Sequence, residues 1–106
     1  SETICFAVGK NYANDYTVDV KGLTWVVKDT GIDVGAAYES NDPNVQFKWQ
    51  SYNLDTGVWE NISQWTTSNW ATWRPKKGNY WLHVEAKTSD GKTDSETVCF
   101  AVGKDY

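Results

Sequence analysis

The residues able to do chemistry are few. The chain of 106 residues carries one histidine, His83, and two cysteines, Cys5 and Cys99, among 14 Asp and Glu. A Ser/His/Asp or Cys/His relay would have to bring both partners of His83 from other strands, and no nucleophile motif accompanies it. The carboxylates show no spacing that identifies a glycosidase-like pair. The chain therefore reads as a non-enzyme. Zinc spacing is absent, since Cys5 and Cys99 are remote and no second histidine joins them. Asp29, Asp33, Asn41 and Asp42 flank turns near one end of the expected fold and have the residue types of a calcium site. The simpler reading is that each bonds its own turn backbone. No metal and no cofactor is implied.

The aromatic side chains carry more information. There are 7 Trp, 6 Tyr and 3 Phe, more large rings than a core of this size buries. Trp25, Phe47, Trp49, Tyr80 and one of Trp70 or Trp73 are the natural core candidates. Trp81 falls on the face opposite Tyr80, beside His83; Trp59 and Trp65 lie in short strands or loops, and Tyr52 ends a strand. Surplus surface rings mark sites. Flat rings with nearby amides suit stacking on sugars, so Trp59, Trp65, Trp81, Tyr52 and His83 form the candidate ligand-binding set. Gln46, Gln50, Asn61 and Gln64 are its polar complement. The competing reading packs these rings under long loops or against a neighbouring module.

The elements that must position these residues are strands. Helical periodicity is missing, and short alternating runs bounded by turn residues take its place. Leu23, Trp25 and Val27 share one face, as do Ile32, Val34, Ala36 and Tyr38. Val45, Phe47 and Trp49 point inward, with Gln46, Lys48 and Gln50 outward. Leu54-Asp-Thr-Gly57 closes a hairpin between the strand through Tyr52 and a short strand at Val58–Asn61. Pro75-Lys-Lys-Gly78 turns the chain from Trp70–Trp73 to Tyr80–Ala86. Asp90-Gly91 is a type I′ hairpin signal before a last strand at Thr97–Val102. Gly78-Asn79-Tyr80 predicts a tyrosine corner, the hydroxyl bonding back to the preceding loop, and Trp49 matches the tryptophan packed between sheets. The expected fold is all-β, an immunoglobulin-like or fibronectin type III-like antiparallel sandwich of about seven strands.

The two ends repeat each other. Ser1-Glu-Thr-Ile-Cys-Phe-Ala-Val-Gly-Lys10 recurs 94 residues later as Ser95-Glu-Thr-Val-Cys-Phe-Ala-Val-Gly-Lys104, with only Ile4 replaced by Val98. Asn11-Tyr12 is answered by Asp105-Tyr106. Residues 1–12 are either the last strand of a preceding copy in a tandem array or an extra edge strand. Residues 17–106 are the module proper. One cysteine per copy suggests a buried free thiol acting as a small hydrophobe; a Cys5–Cys99 disulfide requires the two end strands side by side. An unpaired hydrophobic strand also favours strand-mediated dimers.

Composition narrows the partners. The net charge of −4 is the wrong sign for a nucleic-acid binder, which needs a basic field. No stretch approaches the roughly 20 apolar residues that span a bilayer. Met is absent, so Ser1 is not expected to be a native start and the chain reads as part of something longer. Asn61-Ile62-Ser63 fits a glycosylation acceptor but carries no assigned role.

Phe47-Lys-Trp-Gln-Ser-Tyr-Asn-Leu-Asp-Thr-Gly-Val-Trp59 and Trp70-Ala-Thr-Trp-Arg-Pro-Lys-Lys-Gly-Asn-Tyr-Trp-Leu-His-Val-Glu-Ala-Lys-Thr-Ser-Asp-Gly91 resemble the triple-tyrosine (three-Y) modules of exported bacterial proteins. The resemblance spans about residues 17–103, with Trp at several aromatic positions. Such modules accompany cell-wall lytic enzymes such as muramidases and amidases, and a related form occurs in sensor proteins. The resemblance implies an often repeated accessory module without catalytic machinery, placed outside the cell or in the cell wall. It supplies no ligand. Two functions follow as expectations: targeting a linked hydrolase to peptidoglycan or another glycan, or spacing and interaction between neighbouring modules.

Overall fold

The computed structural model describes residues 16–106. The expectations that rest on Ser1–Tyr12, including Cys5, its disulfide and a strand-mediated dimer, lie outside the described residues. Among the described residues, seven strands form: β1 (Val18–Lys28), β2 (Gly31–Ser40), β3 (Gln46–Asn53), β4 (Val58–Asn61), β5 (Trp70–Trp73), β6 (Gly78–Lys87) and β7 (Thr93–Val102). They make two antiparallel sheets, one ordered β1-β2-β5 and the other β4-β3-β6-β7. This is the expected immunoglobulin-like sandwich. The described residues contain no helix long and apolar enough to cross a membrane.

Period-two alternation builds the core. Ile32, Val34 and Ala36 from β2 face Phe47 and Trp49 from β3 and Tyr80, Leu82, Val84 and Ala86 from β6, all buried. Trp49 is fully buried, as its place on the third strand implies, and its Nε1 has no hydrogen-bond partner among the described residues. β1 contributes to the same layer through a bulge between Val20 and Gly22. The extra residue, Lys21, lies outside and pairs with Asp19 at 2.7 Å. A bulge shifts the alternation by one, so Val20 before it and Leu23 and Trp25 after it all face inward.

Some core expectations need correction. Trp25 faces the sheet interior but is 45% exposed. It sits on an edge strand opposite another edge strand, and its ring contact there is with Phe100 on β7, at 5.1 Å between centroids. Val27 and Tyr38 share the inward face and are likewise exposed. Of the two alternatives on β5, Trp73 is buried and meets Tyr80 edge to face at 5.2 Å. Trp70 is exposed and lies over Gly35 on the outside of the sheet.

The turns position the strands. The tyrosine corner is present: the Tyr80 hydroxyl donates to the Lys76 carbonyl at 2.8 Å. Asn53 closes the β3–β4 hairpin, its side-chain oxygen accepting from the N–H groups of Asp55 at 2.8 Å and Thr56 at 3.1 Å. The β6–β7 hairpin differs from the expected two-residue turn. It spans Thr88–Lys92, with Gly91 at φ 92° and its N–H donating to the Thr88 carbonyl at 3.0 Å. The side chains of Thr88 and Asp90 bond each other inside this loop, whose length places the register one residue away from that of a two-residue turn.

β1 begins, and the Thr88–Lys92 loop lies, at one pole of the sandwich. The Asn41–Asn44 loop shares that pole. At the opposite pole lie the Asp29–Thr30 turn, the Leu54–Gly57 turn, the Arg74–Lys77 loop and the exit of β7.

Candidate ligand-binding face

The outer face of the four-stranded sheet gathers most of the candidate set. Register places Trp59 (β4), Tyr52 (β3), Trp81 (β6) and Cys99 (β7) in one row across the strands. Asn61, Gln50, His83 and Thr97 form the adjacent row. Antiparallel neighbours stand about 5 Å apart, so side chains in a row are in contact. Tyr52 lies between the two indoles, 4.9 Å from Trp59 and 5.0 Å from Trp81 by ring centroid. The Tyr52–Trp81 pair is stacked, with 27° between planes. His83 meets Trp59 edge to face at 6.4 Å.

Exposure divides the roles. Trp59 is 51% exposed and Trp81 39%, whereas Tyr52 is half-buried between them. The two indoles offer the exposed ring faces, and Tyr52 is packed between them. Placing large rings on the wet face of a sheet costs solubility that inward packing would spare. Mutual stacking recovers part of this, because offset-stacked rings attract beyond their buried area. The result is an exposed aromatic ridge.

The polar row is ordered by its own bonds. Gln50 Nε2 donates to Asn61 Oδ1 at 2.9 Å, and His83 Nδ1 lies 2.7 Å from the Thr97 hydroxyl. Both bonds are exposed and leave further donors and acceptors facing solvent beside the rings. A ridge of indoles flanked by an amide pair and an imidazole can stack on apolar ring faces while bonding hydroxyl groups.

The remaining candidates lie elsewhere. Trp65 is partly buried beneath Lys87, whose Nζ stands 4.4 Å from the ring centroid. Lys87 pairs with Gln46 at the other end of the sheet, roughly 20 Å along β6 from Trp81. Trp65 and Gln46 therefore belong to a different region from the ridge. Gln64 is exposed in the segment after β4.

The four turn residues considered for calcium do not meet. Asp29 lies at one end of β2 and Asn41 and Asp42 at the other, with the ten-residue strand between them. Their expected placement near one end of the fold is corrected by that pairing. Asp42 instead bonds locally: Oδ1 accepts from Asn44 N–H at 2.8 Å, and Oδ2 from Ser89 N–H at 2.6 Å and the Ser89 hydroxyl at 2.9 Å. Burial opposes its ionisation, but these donors outweigh it and hold the carboxyl below its ordinary value. Among the described residues, no group of three His, Cys, Asp or Glu is placed to hold a metal ion.

Cys99 is the member of the site that residue types alone did not reveal. The expected buried thiol is exposed, opposite Trp81. Had Asp90-Gly91 formed a two-residue turn, Cys99 would have stood opposite Leu82, on the core side. The longer loop moves every β7 side chain to the other face.

No protein-family model, curated protein or solved structure matches this chain.

Proposed function

We infer that this chain is a non-catalytic accessory module of an exported or cell-surface bacterial protein, and that it binds cell-wall or other glycan to hold a linked hydrolase on its substrate. The observation that carries this reading is the cross-strand row of Trp59, Tyr52 and Trp81 on an open sheet face. Pyranose rings present C–H faces that pack on indoles, and their equatorial hydroxyls reach sideways to bonding groups. The adjacent row of Asn61, Gln50, His83 and Thr97 offers bonding groups of the kind such hydroxyls need. The resemblance to three-Y modules supports the same reading.

The test is co-sedimentation with insoluble bacterial peptidoglycan, comparing wild type with Trp59→Ala and Trp81→Ala, each checked for folding by circular dichroism. Saturable wild-type binding, weakened at least ten-fold in each folded variant, is expected. No wild-type binding across several cell walls would sink it.

A second reading, a spacer or protein-interaction module with no ligand of its own, is favoured by one feature. β1 begins and β7 ends at opposite poles, so the chain passes through the module along its length. Absence of binding in the same assay leaves this reading in front.

A further inference from the structure

Both termini of the described fold are tied down, and the sequence repeat turns this into a statement about neighbouring modules. After β7 the chain is held against the Arg74–Lys77 loop. Tyr106 N–H donates to the Pro75 carbonyl at 2.9 Å, and Asp105 Oδ1 accepts from Lys77 N–H at 2.8 Å. The Tyr106 ring packs on the core edge, with Lys104 Nζ 4.9 Å from its centroid. Before β1, Tyr16 N–H donates to Asp90 at 3.3 Å and Thr17 N–H to Asn41 at 2.8 Å. Lys92 Nζ also reaches the Tyr16 carbonyl at 2.9 Å. These two sets of ties lie at opposite poles.

In sequence, Gly9-Lys-Asn-Tyr12 is the counterpart of Gly103-Lys-Asp-Tyr106. Counting from Tyr12 to Tyr16 leaves three residues, Ala13, Asn14 and Asp15. If each copy ties its terminal tyrosine as this one ties Tyr106, three residues of sequence separate the last tie of one copy from the first tie of the next. Fully extended, the step from Tyr12 to Tyr16 covers at most about 14 Å. A tether that short, anchored at both ends on folded surfaces, allows little swivel; loosely jointed domains have longer, unpinned linkers.

We propose that copies of this module stack head to tail as a stiff rod, the Arg74–Lys77 pole of one copy facing the Asn41 and Asp90 pole of the next, with Tyr106 as the clamp at each joint. The partner surface is thus a second copy of this module in the same chain. Each copy adds the length of a ten-residue strand, roughly 33 Å, plus the joint, for a rise of roughly 45 Å per module. Residues 1–12 then belong to the copy before, and the sandwich of residues 18–106 is complete without them.

The test is small-angle X-ray scattering on a two-copy chain in which Ala13–Tyr106 follows Tyr106 of the full chain. It is compared with the same chain carrying a ten-residue Gly/Ser insertion at the joint, and with Tyr106→Ala in the first copy. The expected result is a distance distribution with one elongated maximum extent, broadened by the insertion and by Tyr106→Ala. Identical distributions with and without the insertion, or a folded-back two-copy chain, would overturn the rod. A second measurement stands apart from the joint: deleting residues 1–12 from the single chain is expected to leave Tm within about 2 °C of the original. A loss of more than about 5 °C, near 1 kcal/mol for a domain of this size, would make those residues an edge strand of this same sandwich and overturn the assignment.

Discussion

Trp81 and Cys99 stand directly opposite each other on β6 and β7, on the outward face of the four-stranded sheet and in the row that includes Tyr52 and Trp59. The thiol is exposed, so the aromatic ridge carries a chemical handle beside one of its two exposed indoles.

Labelling that thiol should report on the ridge. In a Cys5→Ser background, a bulky maleimide on Cys99 is expected to quench tryptophan emission and weaken peptidoglycan binding at least ten-fold. Soluble cell-wall fragments should slow the labelling several-fold. A labelled protein that still binds its glycan as before would place the contact surface away from Trp81.

The tyrosine corner should contribute measurably to stability. Tyr80 is buried, and its hydroxyl has the Lys76 carbonyl as partner at 2.8 Å. Tyr80→Phe keeps the ring packing against Trp73 and removes only that bond, leaving a carbonyl short of a donor. A loss of about 1 kcal/mol is expected in urea unfolding, seen as a Tm about 5 °C lower. An unchanged midpoint would mean that solvent replaces the bond without penalty.

Gly35 makes room for a tryptophan. A Cβ at this position would stand 2.6 Å from the Trp70 ring, closer than atoms pack. Trp70 is half exposed and can swing off the sheet, so Gly35→Ala is expected to displace the ring and lower stability by roughly 1–2 kcal/mol. The same change made in Trp70→Ala should be close to neutral. A double-mutant cycle reads this coupling directly, and additive effects would show that the ring and the glycine act independently.

Acid should loosen the pole where β1 begins. The Thr88 hydroxyl, together with Lys92 and the Tyr16 N–H, holds the Asp90 carboxyl at about 2 against the opposing effect of burial. An unfolded Asp titrates at about 3.9, so on acidification the unfolded chain takes up this proton first. The stabilisation is full above that value and is lost as pH falls toward about 2. Asp42 acts in the same direction. Thermal melts between pH 5 and pH 2 should show a falling limb in wild type that is shallower in Asp90→Asn. Parallel limbs would remove Asp90 from the account.

Alternation made much of this fold legible from residues alone. Val45, Phe47 and Trp49 are buried as their spacing requires, because a strand between two sheets has one dry face whichever strand it pairs with. Gly78-Asn79-Tyr80 announced the corner, since a glycine-led tyrosine at the start of a strand reaches only the loop just before it. The surplus of rings likewise announced that some of them must lie on the surface, because the core had no space for all of them.

Where local pattern and structure part, strand order or register is the missing quantity. Trp25 alternates like a core residue, and its exposure follows from β1 lying at a sheet edge, a fact of pairing that no local pattern carries. Trp65 looked equivalent to Trp59 and Trp81 in type, yet it rests under Lys87 at the other end of the sheet. Cys99 depended on the length of one loop, because a one-residue change in register decides which face of β7 points outward. Residue type and spacing thus determined which side chains seek a dry face and which surplus rings must find another place. Only the tertiary structure decided which of those rings meet, because register and edge position come from contacts between residues far apart in the chain.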